Sequence, residues 1–153
     1  MSYKDQDWSV RERDLGDEAE GQFIRWCEER DINCVRYGLE RPPLQMYKLP
    51  ARLRYTPDFL LTNGFCEVQG FGRDQTFKLK LDKHGALHWW NDLHPVWLYI
   101  WDSHYHRDCV IHLLDFDKLL AHANIQMFAE GKTYFALPGD FLFAHGQERI
   151  SAP

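Results

Sequence analysis

Asp58, Glu67 and Gln69 flank an Asn63-Gly64 dipeptide inside two strand-like runs, Leu53 to Leu61 and Phe65 to Phe71. Asn-Gly is the strongest short hairpin signal, because both residues of the favoured turn need positive φ. A two-residue loop there pairs Thr62 with Phe65, Leu61 with Cys66, Leu60 with Glu67, Phe59 with Val68 and Asp58 with Gln69. Side chains alternate faces along a strand, so Asp58, Leu60, Glu67 and Gln69 share one face. Phe59, Leu61, Cys66 and Val68 take the other, an apolar one. Asp58 then faces Gln69, with Glu67 on the diagonal at roughly 6–8 Å between Cβ atoms. Two flexible acids at that separation can close on one cation, and carboxylate oxygens are the donors that Mg²⁺ and Mn²⁺ take. A cation held there lowers the pKa of a bound water and neutralises charge in phosphoryl transfer. The chemistry is that of a metal-dependent phosphodiesterase. An Asp–Glu pair on a strand is more often a solvated sheet face. Here the apolar reverse face, and Gly70 and Gly72 beyond it, raise the functional reading, although on these residues alone the solvated face stays the commoner one.

The elements that must position this pair follow from periodicity. Asp14 to Arg30 reads as a helix, with Leu15, Ala19, Phe23, Trp26 and Cys27 on its apolar side. Glu20 stacks with Phe23, Ile24 and Cys27 at the border of that face, where it can orient a water or complete a second metal site. Ile32 to Tyr37 reads as a short strand. Pro42, Pro43 and Pro50 make Leu39 to Arg52 an extended connector or arm. A second helix is expected from Asp74, its N-cap, to Trp90, carrying Lys78 and Lys80. Val96 to Asp102 is apolar almost throughout, as a buried strand is. Cys109 to Leu114 reads as a strand and Phe116 to His122 as a helix, while residues 125–153 show no ordering period. The sum is a single α/β domain over residues 1–153, a mixed sheet flanked by helices.

Composition narrows the class. At 153 residues with 44% hydrophobic and 27% charged, the chain can bury a core and is not disordered. The longest apolar stretch, near Pro95 to Trp101, is far short of the roughly 20 residues that span a bilayer. Met1 to Gly16 is charged without an apolar run, which predicts no signal peptide, no membrane partner and a cytoplasmic protein. Lys plus Arg number 18 against 23 for Asp plus Glu, a formal charge of −5, which by itself argues against a nucleic-acid coat. Four cysteines, none in a CxxC pair, read as buried thiols. His84 and His88 stand four apart on the expected helix, but no further ligand has a zinc spacing, so no zinc site is predicted. Trp89, Trp90, Trp97 and Trp101 read as core.

The run Tyr55-Thr-Pro-Asp58-Phe-Leu-Leu-Thr-Asn-Gly64-Phe-Cys-Glu67-Val-Gln69-Gly70 resembles the PD-(D/E)XK nuclease signature. More narrowly, it resembles the phage endonuclease I family of Holliday-junction resolvases, over residues 14–101, leaving 102–153 as an unmatched extension. The resemblance implies a restriction-endonuclease-like core and Mg²⁺, or Mn²⁺ in its place, bound by Asp58, Glu67 and the Val68 carbonyl with help from Glu20. It also implies branched DNA as substrate, hydrolysis that leaves a 5′-phosphate, a bacterial or phage-infected cell, and a homodimer exchanging segments through 39–52. The family's lysine is Gln69 here, which orients water by hydrogen bonds but carries no charge. Some restriction enzymes of that superfamily work with Glu-x-Gln, and Lys78 or Lys80 is a candidate for the missing cation. Lys48, Arg52, Arg54, Arg73, Lys80 and Lys83 form a candidate DNA-binding rim on an otherwise acidic protein. Two other readings compete: a nicking, mismatch or restriction-type nuclease on the same fold, and a silenced nuclease fold serving as a binding protein.

Overall fold

A computed structural model describes residues 8–38, 48–127 and 131–145, with side chains described from residue 16 onward. The elements in chain order are α1 (Trp8–Glu29), β1 (Cys34–Arg36), α2 (Ala51–Arg54), β2 (Phe59–Leu61), β3 (Gly64–Phe71), β4 (Thr76–Lys80) and α3 (Leu81–Leu93). They continue with β5 (Val96–Asp102), β6 (Arg107–His112), α4 (Leu113–Leu119), a short 3₁₀ turn, β7 (Asn124–Met127), β8 (Thr133–Pro138) and α5 (Gly139–His145). A five-stranded sheet runs β1-β2-β3-β5-β6, parallel only between β3 and β5. A three-stranded antiparallel sheet runs β4-β8-β7. The expected mixed sheet with flanking helices is therefore present.

Two cores sandwich the larger sheet. Ala19, Phe23, Trp26 and Cys27 of α1 pack on Phe59, Leu61, Cys66, Val68, Tyr99 and Trp101. On the reverse face Leu98, Ile100 and Ile111 meet Leu87 and Trp90 of α3, Phe116 of α4, and Phe77 and Leu79 of β4. Strand β5 is apolar on both sides because both sides are covered. Each large side chain buried this way contributes roughly 1.5–3 kcal/mol. Trp90 and Trp101 are buried and Trp89 and Trp97 half-buried, as a core role requires. All four cysteines are free thiols, three of them buried. No helix among the described residues is long and apolar enough to cross a membrane.

The hairpin has the expected faces but a different register. Phe59 pairs with Cys66, Leu60 with Phe65 and Leu61 with Gly64, so the turn falls on Thr62-Asn63. The shift is two residues, and a two-residue shift preserves parity. Gly64 is not a turn residue at positive φ. A Cβ there would lie 2.3 Å from the Pro95 carbonyl oxygen, which also accepts the Phe65 N–H at 2.7 Å. Glycine is needed for close approach, and the turn signal came from the wrong property of the residue.

Other boundaries differ for local reasons. The helix expected from Asp74 starts at Leu81, and Thr76–Lys80 is strand β4. Its alternation buries Phe77 and Leu79 and turns Thr76, Lys78 and Lys80 outward, a period of two. Residues 53–58 are not strand: α2 occupies part of that run, and β2 is confined to Phe59–Leu61. Helix α1 begins at Trp8, earlier than Asp14. It ends where Asp31 turns left-handed (φ 54°) and the Ile32 N–H reaches back to the Cys27 carbonyl at 2.9 Å. Strand β6 and helix α4 each begin two or three residues earlier than expected. Of the proline-rich arm, residues 39–47 lie outside the described residues, so segment exchange through 39–52 does too.

Candidate active site

The carboxylate pair sits where β2 begins. Tyr37 and Gly38 donate their N–H groups to the Asp58 carbonyl at 2.9 and 3.2 Å, fixing the backbone just before β2. The Asp58 side chain replaces the next ladder bond, its Oδ2 accepting the Val68 N–H at 2.8 Å. The N–H and carbonyl of one strand residue point to the same edge, so the Val68 carbonyl faces Asp58 as well. Glu67, one residue earlier on β3, is 2% exposed. From the first turn of α3, the Lys83 ammonium forms an ion pair with Glu67 Oε1. Glu67 Oε2 is buried with no hydrogen-bond partner.

Electrostatics follow from that crowding. Burial, reinforced by the Asp58 charge, pushes the Glu67 carboxyl up to about 8. Burial raises Asp58 too, against the opposing pull of Lys83 and the Val68 N–H. Lys83 is drawn down by burial, yet Glu67 and Asp58 together hold it above its ordinary value. Two acids forced together against Lys83, with Arg36 held by Glu20, leave a site short of positive charge.

On the α1 side of the sheet edge, Arg36 grips Glu20 with both guanidinium nitrogens, at 3.1 and 2.5 Å. The same guanidinium lies 3.9 Å from Asp58 Oδ1 and 5.1 Å from the Phe59 ring centroid. Glu20 is thus brought to the edge of the site with Arg36 between it and Asp58. Gln69 shares the face of Glu67, but its amide donates to the Lys78 backbone carbonyl and so ties β3 to β4. Lys78 Nζ pairs with Asp74 at 3.1 Å. Lys78 and Lys80 are strand residues, not helix residues. The lysine in ion-pair contact with Glu67 is Lys83, which the sequence suggested only for the DNA rim.

Of the remaining rim residues, Arg54 and Lys80 line one open groove with Tyr55, Asp82 and Lys132. Leu81 and Asp82, the two residues before Lys83, also line it, so the groove adjoins the start of α3. Arg52 lies over the Trp89 ring, with 4.8 Å to its centroid, while Lys48 and Arg73 are exposed. Sequence reasoning missed Arg36 and Lys132. Arg36 is the last residue of a three-residue strand, and only the β1–β2 pairing shows that it reaches Asp58.

The donor set suits a hard divalent cation. Asp58, Glu67 and the Val68 carbonyl offer oxygen ligands alone, which is the preference of Mg²⁺ and Mn²⁺. The unpartnered Glu67 Oε2 is a buried acceptor with nothing to accept, and a cation would satisfy it.

No protein-family model and no curated protein matches the chain. Among solved structures it is similar to the Holliday junction resolvase Hjc of the archaeal hyperthermophile Archaeoglobus fulgidus. That likeness has 8% identity and a TM-score of 0.48, over 88% of this chain and 98% of that one. It is also similar to a nuclease from a fusselovirus, with 13% identity and a TM-score of 0.50, over 92% of this chain and 89% of that one. The latter likeness shows the fold: this chain has the mixed α/β architecture of that viral nuclease.

Proposed function

We propose that the protein is a metal-dependent endonuclease that hydrolyses DNA phosphodiester bonds, with branched DNA such as four-way junctions as its substrate. One observation carries this reading. Glu67 is buried beside Asp58, its carboxyl pushed up, one oxygen on Lys83 and the other without a partner. Buried polar groups are as a rule hydrogen-bonded, so an orphaned carboxylate oxygen calls for a partner. The likeness of fold to a nuclease and the resemblance of the Tyr55–Gly70 run to the PD-(D/E)XK signature support the same conclusion.

In this reading Asp58, Glu67 and the Val68 carbonyl hold Mg²⁺, for which Mn²⁺ substitutes. The cation supplies charge neutralisation on the phosphate and acidifies a water. Lys83, against Glu67, takes the part left open by Gln69: it orients the attacking water and offsets charge developing on the phosphate. Arg36 holds Glu20 and keeps positive charge beside Asp58. Gln69 fixes β3 against β4 and so sets where Glu67 points. Arg54, Lys80 and Lys132 in the adjoining groove contact DNA phosphates, a local basic surface on an acidic chain. A homodimer would present two such sites for paired nicks.

The test compares cleavage of a labelled four-way junction with a linear duplex of the same arms, with and without Mg²⁺ or Mn²⁺. Metal-dependent cutting of the junction in preference to the duplex is expected. Equal cutting of both would replace the junction assignment by a nicking or restriction-type nuclease. No cutting by folded protein would refute the enzyme reading.

A further inference from the structure

Three side chains away from the carboxylate pair converge without a role in the chemistry above. His84 and His88 stand one turn apart on α3, so both rings lie on one face of the helix. Their Nε2 atoms meet the two oxygens of Asp117 on α4, at 2.6 and 2.8 Å. The ring centroids are 4.6 Å apart. One donor atom from each of the three residues lies within 4.8 Å of the others. The Phe135 ring of β8 packs edge-on against His84 at 5.3 Å, which restrains that ring. All three side chains are partly accessible, at 18%, 37% and 28%, so an ion can enter and retain a water.

We propose that His84, His88 and Asp117 form a second metal site that takes Zn²⁺, separate from the oxygen-only site at Asp58 and Glu67. Two imidazoles and one carboxylate are borderline ligands that favour Zn²⁺ over Mg²⁺. With bonds of about 2.0–2.1 Å, tetrahedral ligands stand about 3.3 Å apart. The present contacts are shorter, so Asp117 must retreat by roughly half an ångström for an ion to replace them. A water would complete the fourth position. The site staples α3 to α4, and α3 carries Lys83 in the residue before His84. Zinc bound there restrains the helix that delivers the lysine to Glu67. The plainer description is a carboxylate shared by two imidazole N–H donors, and the two differ in what they bind.

Calorimetric titration of the metal-free chain with Zn²⁺ in excess Mg²⁺ separates them, with Co²⁺ absorption as a second readout. The wild type and Asp58→Asn should each bind one ion with the same affinity, and Co²⁺ should give the visible bands of a tetrahedral nitrogen–oxygen site. His88→Ala and Asp117→Asn should weaken binding about tenfold or more. His88→Gln, which retains a polar side chain, should weaken it likewise while leaving the circular dichroism unchanged. Binding of Zn²⁺ that survives in both His88 variants, disappears in Asp58→Asn, or is absent from the wild type would overturn the proposal.

Discussion

Two buried carboxylates on neighbouring strands of one sheet are treated in opposite ways. Asp102, at the end of β5, is fully buried and saturated. Its oxygens accept from the Arg107 Nε at 2.8 Å, the Gln75 amide at 3.0 Å, and the His104 and Tyr105 N–H groups at 2.9 and 3.2 Å. Burial raises its carboxyl, but those hydrogen bonds outweigh burial and hold it below the ordinary range. Glu67, on β3, has one lysine, an acidic neighbour and an unpartnered oxygen, and its carboxyl is pushed up. The first arrangement closes a loop and ties β6 to the residue before β4 and to α5 through Arg107, which reaches Gln75 at 3.2 Å and Asp140 at 2.9 Å. The second leaves binding capacity for something not supplied by the chain. Saturation is what a structural acid shows, and an orphaned acidic oxygen is a candidate for binding.

The contrast breaks most visibly in activity. Asp58→Asn removes one of the two acids proposed to hold the cation, and metal-dependent cleavage should fall about a thousandfold or more, several kcal/mol of transition-state stabilisation. Its denaturation midpoint should not fall, because it relieves crowding around Glu67. Asp102→Ala should do the reverse. Urea unfolding should show a loss of about 3 kcal/mol, with the cleavage rate per folded molecule retained. A mutant of Asp102 that is stable but inactive would dissolve the distinction.

A finer division falls between the two polar residues that compete for the signature lysine's role. Lys83→Ala should lower the cleavage rate about a hundredfold, the scale of losing one positioned charge-stabilising donor. Gln69→Ala should lower it by less than about tenfold, since its amide is bonded to β4 rather than to the carboxylates. Single-turnover rates at saturating Mg²⁺ would check both.

The smallest expected effect is the slope of stability with pH, and it has opposite signs at the two acids. The native state binds the Glu67 proton more tightly than the unfolded chain, whose glutamate titrates near 4.5. Between that pH and about 8 the metal-free protein should therefore lose stability as pH rises. The slope should approach about 1.4 kcal/mol per pH unit at most. Asp102 is held low, so its contribution is present above the ordinary aspartate value near 3.8 and is lost as pH falls through the folded value below it. Denaturation of Glu67→Gln across that range should show the upper slope flattened and the acid limb intact.

Much of this contrast was legible in the sequence and some was not. Alternation alone put Asp58, Glu67 and Gln69 on one face and Phe59, Leu61, Cys66 and Val68 on the other, because parity survives a register shift of two. The register itself is not legible, since Gly64 serves the approach of Pro95 and not the turn. Strand β4 reads as helix in the sequence because Asp74 resembles an N-cap, although Phe77 and Leu79 alternate with polar neighbours. That error hid Lys83: starting the helix at Leu81 places it in the first turn, facing Glu67. Arg36 and Asp117 were invisible for another reason. Their partners lie 16 and 33 residues away in other elements, and only tertiary packing brings them together.

The central claim is that Asp58 and Glu67 hold a catalytic cation. Its most direct test is cleavage of a labelled four-way junction in Mn²⁺ by wild type and Asp58→Asn, each verified as folded by circular dichroism. Metal-dependent cutting by the wild type and a loss of about a thousandfold in the variant are expected. Cutting that persists undiminished in Asp58→Asn would contradict the claim.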